Sequence, residues 1–283
     1  MNSIKATLKT FEMISQQLRI LALVVLIFLT GSNQAAHAQL NPDNLTHYTE
    51  MDGNNIFGVL ADQFGNIWMT THNGLTRFDG YEFTRFYNDP NDSTSISDIL
   101  VSSLFEDSKG RIWVGGMDDV NVYDPRTNTF RSYPFDHLTG VTESSQPWIV
   151  TITEDLSGRI YFGASDFFGQ RLTNSLFFLD EHTETIQIAD SPGIGSISNI
   201  NQSTTDPFGN SWFIGRSGII RISPDGVLQA MPLPEGTDTS DHLADRFTIG
   251  SDMDGLIWIT FASSAIHIYD PDTWHYEMLD LSD

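Results

Sequence analysis

Short apolar segments separated by turn residues recur along most of the chain. In each repeat an apolar strand leads into an Asp-x-x-Gly turn, and a second apolar strand that contains Trp or Tyr follows. The five copies run over Asp62–Trp68, Asp107–Trp113, Asp155–Tyr161, Asp206–Trp212 and Asp252–Trp258. Their glycines lie 45, 48, 51 and 46 residues apart, so the chain carries an internal repeat of nearly constant period.

The second copy shows why the motif predicts a β-hairpin. Residues 99–105 form an apolar strand, and Asp107 is placed to accept hydrogen bonds from backbone N–H groups of the turn. Gly110 supplies the positive φ that a short loop requires. Residues 112–115 are apolar on both faces, which is typical of a strand buried between two packed sheets.

Each repeat contains two further strands, such as residues 120–123 and 129–133 in the second copy. Helical periodicity is absent from the sequence after the N-terminal segment, so a βαβ fold is disfavoured. We predict an all-β protein, a β-propeller of four-stranded antiparallel blades. The five predicted blades span about residues 54–88, 97–134, 147–189, 197–232 and 245–280. The repeated Trp or Tyr is predicted to pack between blades.

The blade count bears on closure of the ring. Residues 45–49 resemble an isolated strand, yet the fifth blade already has a fourth strand at residues 274–279. Residues 280–283 resemble the start of a link to another blade. We therefore expect five blades of a seven-bladed ring, and a closed five-bladed ring is the alternative. An open ring would leave two apolar blade faces in water.

The N-terminus predicts secretion. Three basic residues precede an apolar run at residues 20–29, and the sequence Ala36-His37-Ala38 follows. This order is typical of a signal peptide, so we expect residues 1–38 to be removed by cleavage near Ala38 and the propeller to occupy residues 39–283. The alternative is an uncleaved anchor, although the run has about half of the roughly 20 residues that a spanning helix needs. The predicted location is periplasmic or secreted.

Composition narrows the classes of partner and site. The net charge is −23 at pH 7, which disfavours nucleic acid and anionic membrane surfaces as partners. The absence of cysteine excludes disulfides, thiolate metal sites and a Cys nucleophile. No calcium loop, His-Glu-x-x-His motif, Gly-x-Ser-x-Gly elbow or phosphate loop occurs in the sequence. We predict no metal, no cofactor and no catalytic residue.

A ligand site is expected on the face formed by the turns between the second and third strands and by the links between blades. An aromatic side chain there, such as Phe168 or Trp148, could stack on a sugar ring. The alternative is a structural role in which these residues only anchor loops. The candidate ligand-binding residues are His72, Asn73, Asp118, Asp119, Trp148, Asp166, Phe167, Phe168 and Arg216.

The repeats resemble the two-component regulator propeller family. The resemblance is carried by Glu106-Asp107-Ser-Lys-Gly110-Arg-Ile-Trp113-Val-Gly115, and by Asp62-Gln-Phe-Gly65-Asn-Ile-Trp68 followed by Gly74-Leu75-Thr-Arg-Phe78-Asp79. A sialidase-like box has Asp and Gly two residues apart, whereas here they are three apart, and the WD40 pattern is missing. The resemblance covers about residues 45–283 and is looser after the second blade, with Tyr161 replacing Trp.

What the resemblance implies is a non-catalytic periplasmic module that senses a ligand, frequently an oligosaccharide, for a histidine kinase or diguanylate cyclase. Homodimers, as in receptor assemblies, are a possible arrangement. No kinase or cyclase motif is present in this sequence, so we expect the output domain to lie elsewhere. The alternative is a secreted propeller enzyme, either a carbohydrate hydrolase or a lyase of the streptogramin type.

Overall fold

The computed structural model describes residues 56–71, 73–98, 100–117, 119–135, 147–166, 172, 174–233, 247–260 and 265–280. They all belong to one compact unit, Glu50–Asp283. Twenty strands form five four-stranded antiparallel sheets, which confirms the all-β propeller prediction. Within these ranges no helix is long and apolar enough to cross a membrane. The predicted signal peptide, the cleavage near Ala38 and the strand at residues 45–49 lie outside the described residues.

Each blade is built from four strands that are consecutive in the sequence. Blade one contains β1 (Ile56–Ala61), β2 (Ile67–Thr71), β3 (Gly74–Phe78) and β4 (Phe83–Phe86). Blade two contains β5 (Val101–Glu106), β6 (Ile112–Gly116), β7 (Asp119–Asp124) and β8 (Thr129–Pro134). Blade three contains β9 (Pro147–Glu154), β10 (Ile160–Asp166), β11 (Leu176–Asp180) and β12 (Thr185–Ile188).

Blade four contains β13 (Ile200–Thr205), β14 (Ser211–Gly215), β15 (Gly218–Ile222) and β16 (Leu228–Met231). Blade five contains β17 (Thr248–Ser251), β18 (Ile257–Thr260), β19 (Ala265–Tyr269) and β20 (Tyr276–Asp280). β20 begins two residues later than predicted because residues 270–275 form a wider turn. In that turn the Trp274 N–H donates to the Asp270 carbonyl and Trp274 has φ of 59°.

The turn of each repeat has the predicted geometry. In blade two the N–H groups of Lys109 and Arg111 donate to Asp107 Oδ1, both at 2.9 Å, and Gly110 has φ of 76°. The other oxygen, Asp107 Oδ2, accepts a hydrogen bond from Trp113 Nε1 at 2.8 Å. The same carboxylate therefore closes the turn and fixes the indole on the following strand.

The repeated aromatic side chain packs between blades, as predicted. Trp68 is 1% exposed and lies in a cluster with Ile112 and Val114 of the next blade. The same arrangement places Trp113 against blade three, Tyr161 against blade four and Trp212 against blade five. Burial of a large aromatic at every joint supplies the apolar contact that holds successive sheets together.

The inner strands pack against one another in sequence order, β1 on β5, β5 on β9, β9 on β13 and β13 on β17. Polar side chains link them. The hydroxyls of Ser102 and Ser103 both donate to the Ile149 carbonyl at 2.7 Å, and the Ile249 N–H donates to Gln202 Oε1 at 2.9 Å. Among the described strands, no packing of similar extent joins blade five to blade one. The described blades therefore form an arc in which each blade packs on the next.

Candidate functional site

Two opposite faces follow from the strand order. The Asp-x-x-Gly turns form one, which we call the turn face. The turns between the second and third strands, such as residues 216–217, and the links between blades, such as residues 189–199, form the other, which we call the loop face. Because strands alternate in direction, every blade contributes to both faces. The predicted ligand-binding residues are expected on the loop face.

The links between blades are anchored to the loop face by specific hydrogen bonds. Asp98, in the link before blade two, accepts from the Met117 N–H at 2.7 Å and from the Leu100 N–H at 2.9 Å. In the link before blade four, Asn199 is fully buried and accepts from the Leu172 N–H at 3.1 Å. These contacts hold the rim of the loop face in a defined position.

Asn121 gives the loop face a buried polar group. Its Oδ1 accepts from both the N–H and the hydroxyl of Ser97 at 3.0 Å, while its Nδ2 has no hydrogen-bond partner among the described residues. Asn121 is fully buried on β7. Sequence reasoning missed Asp98, Asn121 and Asn199 because a single Asn or Asp in a loop carries no signal of its contact.

Three of the predicted site residues lie on separate blades and have anchoring contacts. The Asn73 N–H donates to Thr71 Oγ1 at 3.1 Å within its turn. Asp119 is the first residue of β7 and accepts from the Ser132 hydroxyl of β8 at 2.8 Å. The Arg216 N–H donates to the Ser198 carbonyl at 2.8 Å. These contacts agree with the loop-anchoring alternative and leave the exposed Asn73 side chain available to a ligand.

The structure brings Trp148 and Asp166 into one hairpin. Trp148 lies in β9 and not in a link, and it pairs with Ser165, while Asp166 at the end of β10 pairs with Pro147. Asp166 is 5% exposed. Because side chains alternate along a strand, Trp148 and Asp166 lie on opposite faces of this hairpin. Four predicted site residues lie outside the described residues, namely His72, Asp118, Phe167 and Phe168.

One aromatic contact spans blade one and blade three. The rings of Phe57 on β1 and Trp148 on β9 meet edge to face, with centroids 5.9 Å apart. Phe57 is 42% exposed and Trp148 is half-buried. Both lie near the start of an inner strand, where the strands open on the loop face. Phe57 could not be identified from the repeat pattern, because its partner is about 90 residues away.

The inner strands that neighbour this pair carry polar, uncharged side chains. Strand β5, which lies between β1 and β9, carries Ser102 and Ser103, and the opening residues of β13 include Asn201 and Gln202. An aromatic pair beside hydroxyl and amide groups can bind a ligand that presents both an apolar face and hydroxyls. No group of three or more His, Asp or Glu side chains suited to a metal ion occurs in the described part of the chain.

A separate groove of about 270 Å³ lies on the outer rim between β8 and β12. Arg131 and Glu184 form its wall through a two-point ion pair, at 2.9 and 2.5 Å, and the Arg131 guanidinium lies over Tyr133. Both charged side chains are more than half exposed, so the ion pair adds little to stability. The groove contains none of the predicted site residues.

Sequence comparison relates the chain to known signalling proteins. Residues 95–118 match the family model "Two component regulator propeller", which confirms the resemblance predicted from the repeats. A 78-residue segment is 30% identical to "Histidine kinase P4" of Formosa agariphila. That segment is 28% of this chain and 6% of the kinase, so the chain matches a small part of that relative's length.

Solved structures share the fold. The extracellular domain of a hybrid two component system from B. thetaiotaomicron superposes with a TM-score of 0.60 and 19% identity, over 89% of this chain and 30% of that one. A streptogramin B lyase superposes with a TM-score of 0.58 and 22% identity, over 83% of this chain and 71% of the lyase. Virginiamycin B lyase from Staphylococcus aureus with quinupristin superposes with a TM-score of 0.59 and 17% identity, over 84% of this chain and 73% of the lyase. At these identities the likeness establishes the propeller fold alone.

Proposed function

We propose that this chain is a periplasmic, non-catalytic propeller module that binds a ligand for a receptor of the two-component type. The observation that carries the proposal is the match of residues 95–118 to the regulator propeller model, within a chain whose described part consists of propeller blades. The extracellular domains among its structural neighbours support the location. As further parts of this proposal, the receptor carries a separate output domain and assembles as a homodimer.

The ligand class that fits the loop face best is an oligosaccharide. A sugar ring has an apolar face that packs on an aromatic side chain, and hydroxyls that exchange hydrogen bonds with side chains such as Ser and Asn. Phe57 and Trp148 supply the aromatic surface, and β5 and β13 supply hydroxyl and amide groups. Of the other predicted residues, Asn73 and Arg216 would contribute from the rim as donors and Asp119 as an acceptor. Asp166 is buried on the opposite face of its hairpin from Trp148 and would not reach the same ligand.

A glycan array probed with the full chain, purified from the periplasm, tests the ligand class. Trp148→Ala removes the proposed stacking surface and should weaken binding of any hit at least tenfold. Trp274→Ala is the matched control, because Trp274 is also partly exposed, at 37%, but lies on the turn face of blade five. Absence of any hit would contradict the carbohydrate proposal. Equal binding by the two variants would contradict the site.

The streptogramin lyase likeness favours one second candidate, a secreted lyase. The S. aureus lyase solved with quinupristin is a catalytically inactive form in which one histidine is replaced by alanine. In this chain the described histidines are His182 and His275 on the turn face and His267 inside β19. Burial lowers the pKa of His267 and favours its neutral form. Incubation with quinupristin followed by mass spectrometry tests this candidate, and conversion to any product would overturn the non-catalytic proposal.

A further inference from the structure

The turn face carries exposed apolar side chains, which we call the apolar row. The Asp-x-x-Gly turns of blades three, four and five present Leu156, Phe208 and Met253, which are 70%, 62% and 72% exposed. The two variable positions of the same turn in blade two are the polar residues Ser108 and Lys109. Because the turn depends on its Asp and its Gly, it does not itself require an apolar side chain between them.

The apolar row is continuous across the three blades. A Cβ on Gly209, in the turn of blade four, would lie 2.5 Å from Leu156 Cδ1 of blade three. A Cβ on Gly255, in the turn of blade five, would lie 2.3 Å from Phe208 Cε2 of blade four. Each apolar side chain therefore lies over the glycine of the next turn, beside the apolar side chain of that turn. Contiguous exposed apolar surface on a soluble protein is typical of an interaction site.

Two turns between the third and fourth strands add apolar surface on the same face. Val227, between β15 and β16, is 59% exposed, and Trp274, between β19 and β20, is partly exposed. The ring of Trp274 meets that of Trp212 edge to face, with centroids 6.2 Å apart, so it joins blade five to blade four. On the other side, the polar turn of blade two separates the row from the exposed Phe64 of blade one.

Carboxylates border the apolar row. Asp225, Asp254 and Asp272 are exposed in turns of blades four and five, and none of them forms an ion pair with a Lys or Arg of the described chain. Near this face of blades three to five, the described Arg side chains are Arg159 and Arg221, and both lie over aromatic rings of their own blades. The surface therefore has an apolar centre and a negative border, which complements a partner with apolar and basic side chains.

The charge of the chain disfavours two other occupants of this surface. If two copies paired through their turn faces, Asp254 and the neighbouring carboxylates of one copy would lie against those of the other. Each copy also has a net charge of −23, and like charges across an interface oppose association. The same net charge repels an anionic membrane surface. A basic protein segment with an apolar stripe remains as the occupant that satisfies both features of the surface.

The spacing of the apolar row matches an α-helix. Packed sheets lie about 10 Å apart, so the apolar side chains of successive blades are separated by about that distance. Residues i and i+7 lie on one side of an α-helix and are about 10.5 Å apart along its axis. The three turns therefore match apolar residues at i, i+7 and i+14, and Lys or Arg residues beside that stripe would lie near the carboxylates.

We propose that the apolar row is a docking surface for an amphipathic basic helix of another protein. The apolar stripe of the helix packs on Leu156, Phe208 and Met253, and its Lys or Arg side chains pair with Asp225 and Asp254. The proposal does not rest on the proposed sugar site, because that site lies on the opposite face.

A synthetic helix tests the proposal on the full chain, purified from the periplasm. The probe is a fluorescein-labelled peptide of three heptads, with Leu at the first and fourth positions of each heptad and Lys beside them. A peptide of the same composition with scrambled Leu positions controls for general attraction to an acidic protein. In fluorescence anisotropy at about 0.15 M salt, we expect the ordered peptide to bind at least tenfold more tightly. Equal binding of the two peptides would overturn the proposal.

Phe208→Ser locates the docking surface. We expect the variant to bind the ordered peptide at least fivefold more weakly, because the centre of the apolar row is lost. Tyr87→Ser is the matched control, since Tyr87 is also exposed, at 52%, but follows β4 on the loop face. Thermal melting of both variants verifies that they are folded. An equal loss of binding in the two variants would place the peptide elsewhere and overturn the proposed site.

Asp254→Lys tests the charged border and leaves the apolar row intact. We expect at least threefold weaker binding of the ordered peptide, whereas Glu277→Lys, the same change of charge at an exposed position of β20, should alter binding less than twofold. Equal effects of the two changes would mean that only net charge attracts the peptide, and the proposal would be wrong. Sedimentation of the full chain adds a further check, since a dimer that Phe208→Ser dissociates would replace the helix with a second copy.

Discussion

In the four repeats that carry tryptophan, the aspartate accepts hydrogen bonds through both of its carboxylate oxygens. In blade four, Asp206 Oδ1 accepts from the N–H groups of Phe208 and Asn210 at 2.9 Å, and Oδ2 accepts from Trp212 Nε1 at 2.9 Å. Asp206 is 4% exposed, so water cannot replace its carboxylate as the acceptor for these donors. The repeat preserves two spacings. Four residues separate the Asp from the residue whose N–H closes the turn, and six residues separate the Asp from the Trp. The motif therefore encodes a turn and a blade joint together.

Replacing that aspartate should cost about 2–4 kcal/mol, because a buried indole N–H and two backbone donors lose their acceptor. We expect Asp206→Ala to lower the free energy of unfolding by this amount in urea titrations followed by tryptophan fluorescence. Asp254→Ala is the control, since Asp254 is exposed in the corresponding turn of blade five and should change stability by less than about 0.5 kcal/mol. Similar costs for the two changes would show that the hydrogen bonds to Asp206 contribute little.

Acid should weaken the same motif in blade one. Burial would raise the pKa of Asp62, but hydrogen bonds from Asn66, Trp68 and Phe64 outweigh it and hold that pKa below the ordinary value of 3.8. A lowered carboxyl pKa in the folded state contributes stability that is complete above pH 3.8 and is lost as the pH falls through the folded value. We expect urea stability to fall below about pH 4. Asp62→Asn should be less stable at pH 7 and show a shallower loss below pH 4, and an unchanged slope would contradict this assignment.

At the scale of the element, the close approach of neighbouring sheets depends on glycine in the second strand. A Cβ on Gly163 of β10 would clash with Ile200 and lie 2.6 Å from Thr151 Cγ2. Gly163→Ala should therefore destabilise the chain by about 1–3 kcal/mol through overpacking of the joint between blades three and four. Gly250→Ala in β17 is the matched control, with no atom of the described chain within 4 Å of its Cβ. Thermal melting of both variants measures the difference, and a neutral Gly163→Ala would mean that the joint can widen without cost.

Strands were predictable from the sequence because their signals are local. The Asp-x-x-Gly turn and the apolar residues that flank it placed β6 at residues 112–115, and the structure has Ile112–Gly116. The turn before β20 was less predictable, since the wide loop at residues 270–275 depends on Trp274 adopting a positive φ. The predicted packing of Trp68 and Trp113 between blades also followed from their regular recurrence.

At the scale of the whole molecule, the candidate site was only partly predictable. The loop face follows from strand order, and Trp148 was placed near it. Its contact with Phe57 joins blades one and three, so it depends on how two sheets are positioned by the blade between them. The Asp119 contact with Ser132 likewise needs the register of β7 and β8, which no sequence motif specifies. The N-terminal pattern predicted secretion and the composition showed an acidic chain, but the arrangement of side chains across blades required the structure.

Unequal burial along the arc predicts unequal local stability. The second strands of blades two and four, β6 and β14, are buried along their whole length, and each faces a neighbouring blade on both sides. Among the described strands, β1 and blade five pack on a neighbouring blade on one side only, and β1 is largely exposed. In a repeat array each unit is stabilised mainly by its neighbours, so the end units open at lower free energy than the internal ones.

Hydrogen exchange measured by mass spectrometry on the full chain should therefore show the slowest exchange in β6, β10 and β14. Exchange should be fastest in β1 and β20, by at least about tenfold, because a loss of about 1.4 kcal/mol of local stability corresponds to that factor. Peptides of equal length from these strands within the same digest provide the comparison, with intrinsic rates corrected for sequence. Uniform protection across all five blades would contradict the arc, since it would require blades one and five to be covered as fully as the internal blades.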